Sequence, residues 1–144
     1  MDYHRAGTLS NTPVLGYWKI RGMGAGIRYQ LEHCGVNYDL DEFEQGGPET
    51  GFSRDEWLDV KFTKGLDFPN LPYPIDGSFK MTETHAIHRY IAEKWNPDLL
   101  GKTVEMRARV NNLAYVVHDL KIKCTMPCYQ TESGDKTCEV YRNE

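Results

Sequence analysis

The segment Gly65-Leu66-Asp67-Phe68-Pro69-Asn70-Leu71-Pro72-Tyr73-Pro74-Ile75-Asp76-Gly77 decides how this chain folds. Its three prolines, Pro69, Pro72 and Pro74, each remove a backbone donor, so a continuous helix is not expected here. The segment instead opens a hairpin: Pro74-Ile75 faces Phe79-Met81 across Asp76-Gly77-Ser78, three residue types that favour turns. A proline entering a strand suits a cis bond, so Leu71-Pro72 is a candidate for one. Two readings of that bend stand side by side. It is a plain turn, or it presents the N–H and C=O of Leu71 to an extended peptide by strand addition.

Upstream of the hairpin, Val14 to Trp18 reads as a strand after Pro13. Arg21-Gly22 leads into a helix whose Ile27, Leu31 and Cys34 form one apolar stripe, ended by Gly35. Val36 to Phe43 then alternates as a strand does. Gln45 to Asp67 is a long connection carrying Arg54, Trp57 and Lys61, and long connections in compact domains are often functional. Downstream, a helix starts near Thr84 with Ile87, Tyr90, Ile91 and Trp95 on one face, and Asn96-Pro97 stops it. The order β-α-β-loop-β-β-α predicts an α/β fold: a small mixed sheet with flanking helices.

A second helix is expected from Gly101 to about Lys123, its Met106, Val110, Leu113, Val117 and Leu120 making a continuous apolar seam. One small domain does not cover both its sheet and this seam, so a partner surface is implied. Met1 to Thr12 and Thr125 to Glu144 show no periodicity.

With 144 residues, 17 basic and 21 acidic side chains and 40 % hydrophobic residues, the chain has the composition of one ordinary globular domain with an appendage. Its formal charge of −4 and the lack of a lysine or arginine block exclude general nucleic-acid binding. No apolar run is long enough to span a bilayer and no secretory h-region precedes the first strand, so a cytoplasmic, reducing environment is expected and membranes are not partners. Cys124, Cys128 and Cys138, spaced C-x3-C-x9-C near His118, match no familiar zinc pattern; no metal is expected.

Tyr17 and Trp18 fall at the C-terminal end of the first strand, where open sheets place ligands. A tyrosine hydroxyl holds its proton to about pH 10 and can donate it toward an anion; the alternative is an aromatic that only packs. Glu83-Thr84 stands at a helix start, where free amides favour a carboxylate and Glu83 can hold an ammonium; a simple N-cap also accounts for Thr84. Together with Arg54, Trp57 and Lys61 these positions describe a site for a small zwitterionic peptide. The run Gly22-Met23-Gly24-Ala25-Gly26 is neither GxGxxG nor a P-loop, which argues against a nucleotide.

At this point the chain resembles the glutathione transferases, the mu class most. The resemblance lies in PVLGYWKIRG (Pro13 to Gly22), DEWLDVKF (Asp55 to Phe62), GLDFPNLPYPIDG (Gly65 to Gly77) and AIHRYIAEKW (Ala86 to Trp95), and runs from about Pro13 to Asp119. It implies a thioredoxin-like glutathione-binding domain over 13–96, preceded by an extension over 1–12. A truncated all-α segment would follow, with the first helix of a C-terminal helical domain over 97–123 and an irregular cysteine-containing tail over 124–144. By the resemblance, Tyr17 is the catalytic tyrosine that hydrogen-bonds the glutathione sulfur. Trp18, Arg54, Trp57 and Lys61 surround the glycyl end, Asn70 and Leu71 hold the cysteinyl backbone, and Pro72 is the cis proline. Phe68 is the aromatic that inserts into a neighbouring subunit.

Two departures stand out. Glu83-Thr84 occupies the place of the mu-class Gln-Ser pair that holds the γ-glutamyl end, and Asn111 replaces an aspartate reaching across the dimer. Nothing after Asp119 resembles the family's further helices, which supply most of the second-substrate pocket. The first function implied is conjugation of the glutathione thiolate to small electrophiles. The alternative is a non-catalytic module docking as an accessory or structural subunit in a larger protein assembly; the partner contact expected through the helix over 101–123 is a homodimer or a hetero-assembly. A redox role for the tail thiols is disfavoured because Tyr17 stands where thiol-disulfide chemistry would want a cysteine.

Overall fold

The computed structural model describes residues 12–130, with side chains as far as Met126. Residues 1–11 of the expected extension over 1–12, Cys138 and the side chain of Cys128 lie outside the described residues. The chain divides into two compact units, one ending at His88 and one beginning at Arg89.

In the first unit, strand β1 (Val14–Trp18) leads to helix α1 (Gly24–His33), strand β2 (Asp39–Phe43), a 3-10 turn (Pro48–Thr50) and the short helix α2 (Asp55–Leu58). The hairpin of β3 (Tyr73–Asp76) and β4 (Phe79–Lys80) follows, and then helix α3 (Thr84–Trp95) begins. The sheet order is β2-β1-β3-β4, with β1 parallel to β2 and antiparallel to β3. This is the thioredoxin-like mixed sheet expected from the sequence. The Leu71-Pro72 bond is cis.

Helix α1 ends as its sequence predicts. Gly35 takes φ +66, its N–H donates to the Glu32 carbonyl at 3.0 Å, and the Val36 N–H donates to the Leu31 carbonyl at 3.0 Å, a Schellman closure. Strand β2 is shorter than the alternation over Val36 to Phe43 predicted. Asp39 pairs with Val14, and Pro13 before it offers a carbonyl, used by the Asp39 N–H at 2.8 Å, but no donor, so the ladder stops there. Cys34, expected in the core, is only half-buried. Gln30 ties α1 to the start of α3: its amide donates to the His88 carbonyl at 3.0 Å, and its Oε1 lies 2.6 Å from His88 Nδ1.

One row of residues runs across the sheet. Gly16 on β1 is registered with Asp41 on β2 and with Tyr73 on β3. Having no side chain, Gly16 lets the fully buried Tyr73 ring cross β1: a Cβ there would stand 2.1 Å from Tyr73 Cζ. The Tyr73 hydroxyl thereby reaches two strands away and donates to Asp41 Oδ2, which also accepts from Lys64 Nζ at 2.6 Å. On the same face Trp57 stacks on Tyr73 (centroids 5.7 Å apart) and meets Phe43 edge-on at 5.2 Å, with Leu66 completing the cluster.

Burial, and then the hydrogen bond and charge of Asp41, push the Tyr73 phenol far above its ordinary 10.0. In the unfolded chain the same phenol ionises near pH 10, so its contribution to stability is complete below that pH and is lost as the pH rises above it. Wild-type stability to urea is expected to fall by up to about 1.4 kcal/mol more per pH unit above about pH 10 than that of Tyr73→Phe. Parallel slopes for the two proteins would contradict it.

The second unit contains the remainder of α3, a 3-10 turn (Pro97–Leu100) and the long helix α4 (Val104–Gln130). Thr103 caps α4, its Oγ1 accepting the Met106 N–H at 3.2 Å, and Arg107 Nε donates back to the Gly101 carbonyl at 3.1 Å. Helix α4 continues past the expected end at Lys123, through Pro127 to Gln130. Apolar periodicity does end near Lys123, but a helix already started propagates on backbone hydrogen bonds alone, and Thr125 Oγ1 folds back onto the Lys121 carbonyl at 2.9 Å within it. The seam predicted on this helix is exposed, from 37 % at Val110 to 61 % at Leu113. No helix among the described residues is long and apolar enough to cross a membrane.

Candidate functional site

The topology gathers the candidate residues at one end of the sheet. Strands β1 and β2 run parallel, so the C-terminal ends carrying Tyr17, Trp18 and Phe43 lie side by side. Strand β3 runs the other way and enters at this end through Asn70-Leu71-Pro72, while β4 leaves here toward Glu83 and Thr84. Arg54, heading α2, follows β2 from the same end. In open sheets this edge, outside the carboxyl ends of parallel strands, is where ligands bind.

Tyr17 is buried, and its hydroxyl oxygen accepts the N–H of Met23 at 2.8 Å from the turn preceding α1. The turn fits closely: Gly22 takes φ +32, and both Gly22 and Gly24 have their missing Cβ positions against Tyr17. Reading GxGxG only for phosphate missed this. The available signal was its spacing from Tyr17, which lets the loop fold back over the end of the strand that it leaves.

Trp18 is half-buried, edge-on to Phe43 at 6.4 Å. Trp57 is 5 % exposed and belongs first to the aromatic core. Arg54 is exposed; Lys61 is half-buried, its ammonium 5.5 Å from the Phe62 ring centroid. Leu71 is half-buried, and its N–H is taken by Asn70 Oδ1 at 2.9 Å, so an incoming peptide would exchange that bond for its own. Glu83 is exposed at φ +74, a left-handed conformation that costs a non-glycine residue about 1–2 kcal/mol, and Thr84 behind it is half-buried. The structure therefore brings Tyr17, Trp18, Leu71 and Pro72 to one edge with Arg54, Glu83 and Thr84 around it.

Phe68 stands on the surface, 78 % exposed, and Asn111 in the second unit accepts from Arg89 Nη1 at 3.5 Å. Sequence reasoning passed over Asp41, Lys64 and Gly16, whose connection exists only through strand register. Among the described residues no group of histidine, cysteine and carboxylate side chains is placed to hold a metal ion.

The comparisons with known proteins agree with this architecture. Residues 13–93 match the family model described as Glutathione S-transferase, N-terminal domain. The chain is 44 % identical over 126 residues to Glutathione S-transferase Mu 2 of Mus musculus, covering 88 % of this chain and 56 % of that protein. It is 44 % identical over 119 residues to Glutathione S-transferase Mu 1 of Bos taurus, covering 83 % of this chain and 53 % of that protein. Among solved structures, the glutathione S-transferase Blo t 8 superposes with a TM-score of 0.71 at 30 % identity, over 89 % of this chain and 55 % of that one. The glutathione S-transferase from Ascaris lumbricoides gives 0.65 at 25 % identity, over 88 % and 57 %. The chain spans about half the length of the curated relatives it matches. With its sheet topology, its strand-end tyrosine and a family match across 13–93, the chain belongs to the glutathione S-transferase family.

Proposed function

We propose that this chain binds glutathione at the strand-end edge and activates its thiol for attack on small electrophiles, with Tyr17 as the catalytic residue. The observation that carries the reading is the buried Tyr17, whose hydroxyl accepts the Met23 amide at the C-terminal end of β1. The glutathione thiol releases its proton to solvent. Its thiolate, stabilised by the Tyr17 O–H, forms a C–S bond with the electrophilic carbon as the leaving group departs with its electron pair. Arg54, Lys61 and Trp18 receive the glycyl carboxylate, aided by any edge of Trp57 that the core leaves open. The Leu71 backbone pairs with the cysteinyl residue after displacing Asn70 Oδ1, and Pro72 shapes that turn. Glu83 takes the γ-glutamyl ammonium and Thr84 its carboxylate.

Calorimetric titration of the full chain with glutathione is expected to show one saturable site, weakened at least tenfold by Glu83→Ala combined with Arg54→Ala, each removing an ionic contact worth roughly 1 kcal/mol. Absence of saturable heat would remove the reading.

A second reading is favoured by one observation, the exposed seam of α4 with Met106, Val110, Leu113, Val117 and Leu120. In it the chain docks through that helix, as a homodimer with Phe68 and Asn111 at the contact or in a larger assembly. Light-scattering mass beside the titration separates the two: a monomer that binds glutathione counts against docking.

A further inference from the structure

One oxygen of Asp41, in the middle of β2, serves two donors: the Tyr73 hydroxyl, and Lys64 Nζ at 2.6 Å. The two donors hold different things. Through Tyr73 the carboxylate fixes the ring on which Trp57 stacks. Through Lys64 it fixes the chain that leaves α2, because Lys64 stands three residues beyond Lys61.

Lys64 is tied at both ends. Its ammonium reaches β2 and rests on the aromatic cluster, 5.3 Å from the Phe43 ring centroid and 6.0 Å from that of Tyr73, while its carbonyl accepts Lys80 Nζ of β4 at 2.7 Å. β2 and β4 are the outer strands of the sheet, so this one residue straps the connection to both of its edges. Between Lys61 and Lys64 there is little slack. The Thr63 N–H and Oγ1 both close onto the Val60 carbonyl, at 2.9 and 2.8 Å, and Val60 packs against the cluster. Lys61 therefore sits on a tight turn whose far end is the strap. The pair is also partly withdrawn from water, with the Lys64 and Asp41 side chains 24 % and 33 % exposed, so salt screens it less than it would a surface pair.

We propose that Lys64 and Asp41 are positioning residues for the glycyl end of glutathione: their ion pair straps the connection that carries Trp57 and Lys61, and so sets where the Lys61 ammonium meets the glycyl carboxylate. This rests on the reading of the strand-end edge as a glutathione site. Both residues act through Lys61 and Trp57 and not on the peptide itself.

The test compares calorimetric affinities of the full chain for glutathione and for γ-glutamylcysteine, the same peptide without its glycyl residue. Lys64→Met keeps an unbranched apolar stem without the charge, and is expected to weaken glutathione binding about fivefold, the loss of roughly one ionic contact, with γ-glutamylcysteine binding unchanged. Asp41→Asn still accepts the Tyr73 O–H and should act likewise, whereas Lys64→Arg keeps the charge and should restore the wild-type ratio of affinities. In turnover, KM for glutathione should rise by the same factor with kcat unchanged. Leu66→Val trims the same cluster without touching the strap. It should lower the thermal midpoint and leave the ratio alone.

A wild-type ratio in both Lys64→Met and Asp41→Asn would overturn the proposal, and so would an equal change of ratio in Leu66→Val. Equal weakening toward both peptides would assign the pair to the fold alone and overturn it as well. Should Lys64→Met not fold, the isosteric Asp41→Asn decides. The glutathione reading fails separately, when the wild-type chain shows no saturable binding of either peptide, and the assignment of Lys64 and Asp41 then falls with it.

Discussion

Tyr17→Phe is expected to lower the rate of thioether formation by about two orders of magnitude at neutral pH while glutathione is still retained. A free thiol of pKa about 8.5 is only about 3 % thiolate at pH 7, and bringing its pKa down by about two units requires about 2.7 kcal/mol of selective anion stabilisation. A preorganised donor in a partly dry site supplies energies of that order, and removal of one such donor costs about 10²–10³ in rate. Phenylalanine keeps the ring that fills the space beside Gly22 and Gly24, so the backbone has no cause to move. What it leaves behind is the Met23 N–H without its acceptor, a cost of about 1–3 kcal/mol in stability. The shape of the pH profile is the sharper readout. Wild-type rate should level off near neutrality, whereas the variant's rate should keep climbing toward the pKa of the free thiol. Equal turnover and equal profiles in the two proteins would refute the assignment.

Trp57→Ala is expected to destabilise the first unit by about 3–5 kcal/mol, a large part of the stability of any small domain. The residue was singled out by resemblance as a contact for the glycyl end, but its indole is packed between the Phe43 edge and the Tyr73 face and is almost wholly enclosed. Truncation leaves a cavity in the middle of that aromatic row, against the same Tyr73 whose hydroxyl joins Asp41 and Lys64. Denaturant titration of the variant gives the loss directly, and a cost under about 1 kcal/mol would show the ring to be a peripheral contact. Trp57→Phe divides the two roles. It should restore most of the stability, and any remaining deficit in glutathione affinity then belongs to the lost indole N–H.

Much of the fold was legible because its signals are local. Gly35 announced the end of α1, Asn96-Pro97 the end of α3, and Asp76-Gly77-Ser78 the hairpin, each through a backbone preference that needs no distant neighbour. The candidate site was legible through Tyr17, Leu71-Pro72 and Glu83-Thr84, since strand ends and helix starts impose their own chemistry. What escaped depends on register. Nothing along the chain says that Gly16 stands beside Asp41 on one side and Tyr73 on the other, or that an amide beyond Trp18 returns to Tyr17. The end of α4 escaped for the opposite reason: apolar periodicity reports where a helix is expected to be covered, and backbone hydrogen bonding carries on without it.

The vacancy at Gly16 also acts as a notch in the central strand. A slip of β3 by two residues along β1 would keep every side chain on its own face, so hydrophobic patterning alone does not forbid it. It would, however, bring the Tyr73 ring onto Val14 or Trp18, the same-face neighbours of Gly16, both of which carry side chains where the ring must pass. Only one alignment lets the tyrosine lie across the strand and find a carboxylate on the far side. Because Asn70, Leu71 and Pro72 are joined directly to Tyr73, the notch that indexes the hairpin also sets where the Asn70-Leu71-Pro72 turn stands relative to the Tyr17 hydroxyl.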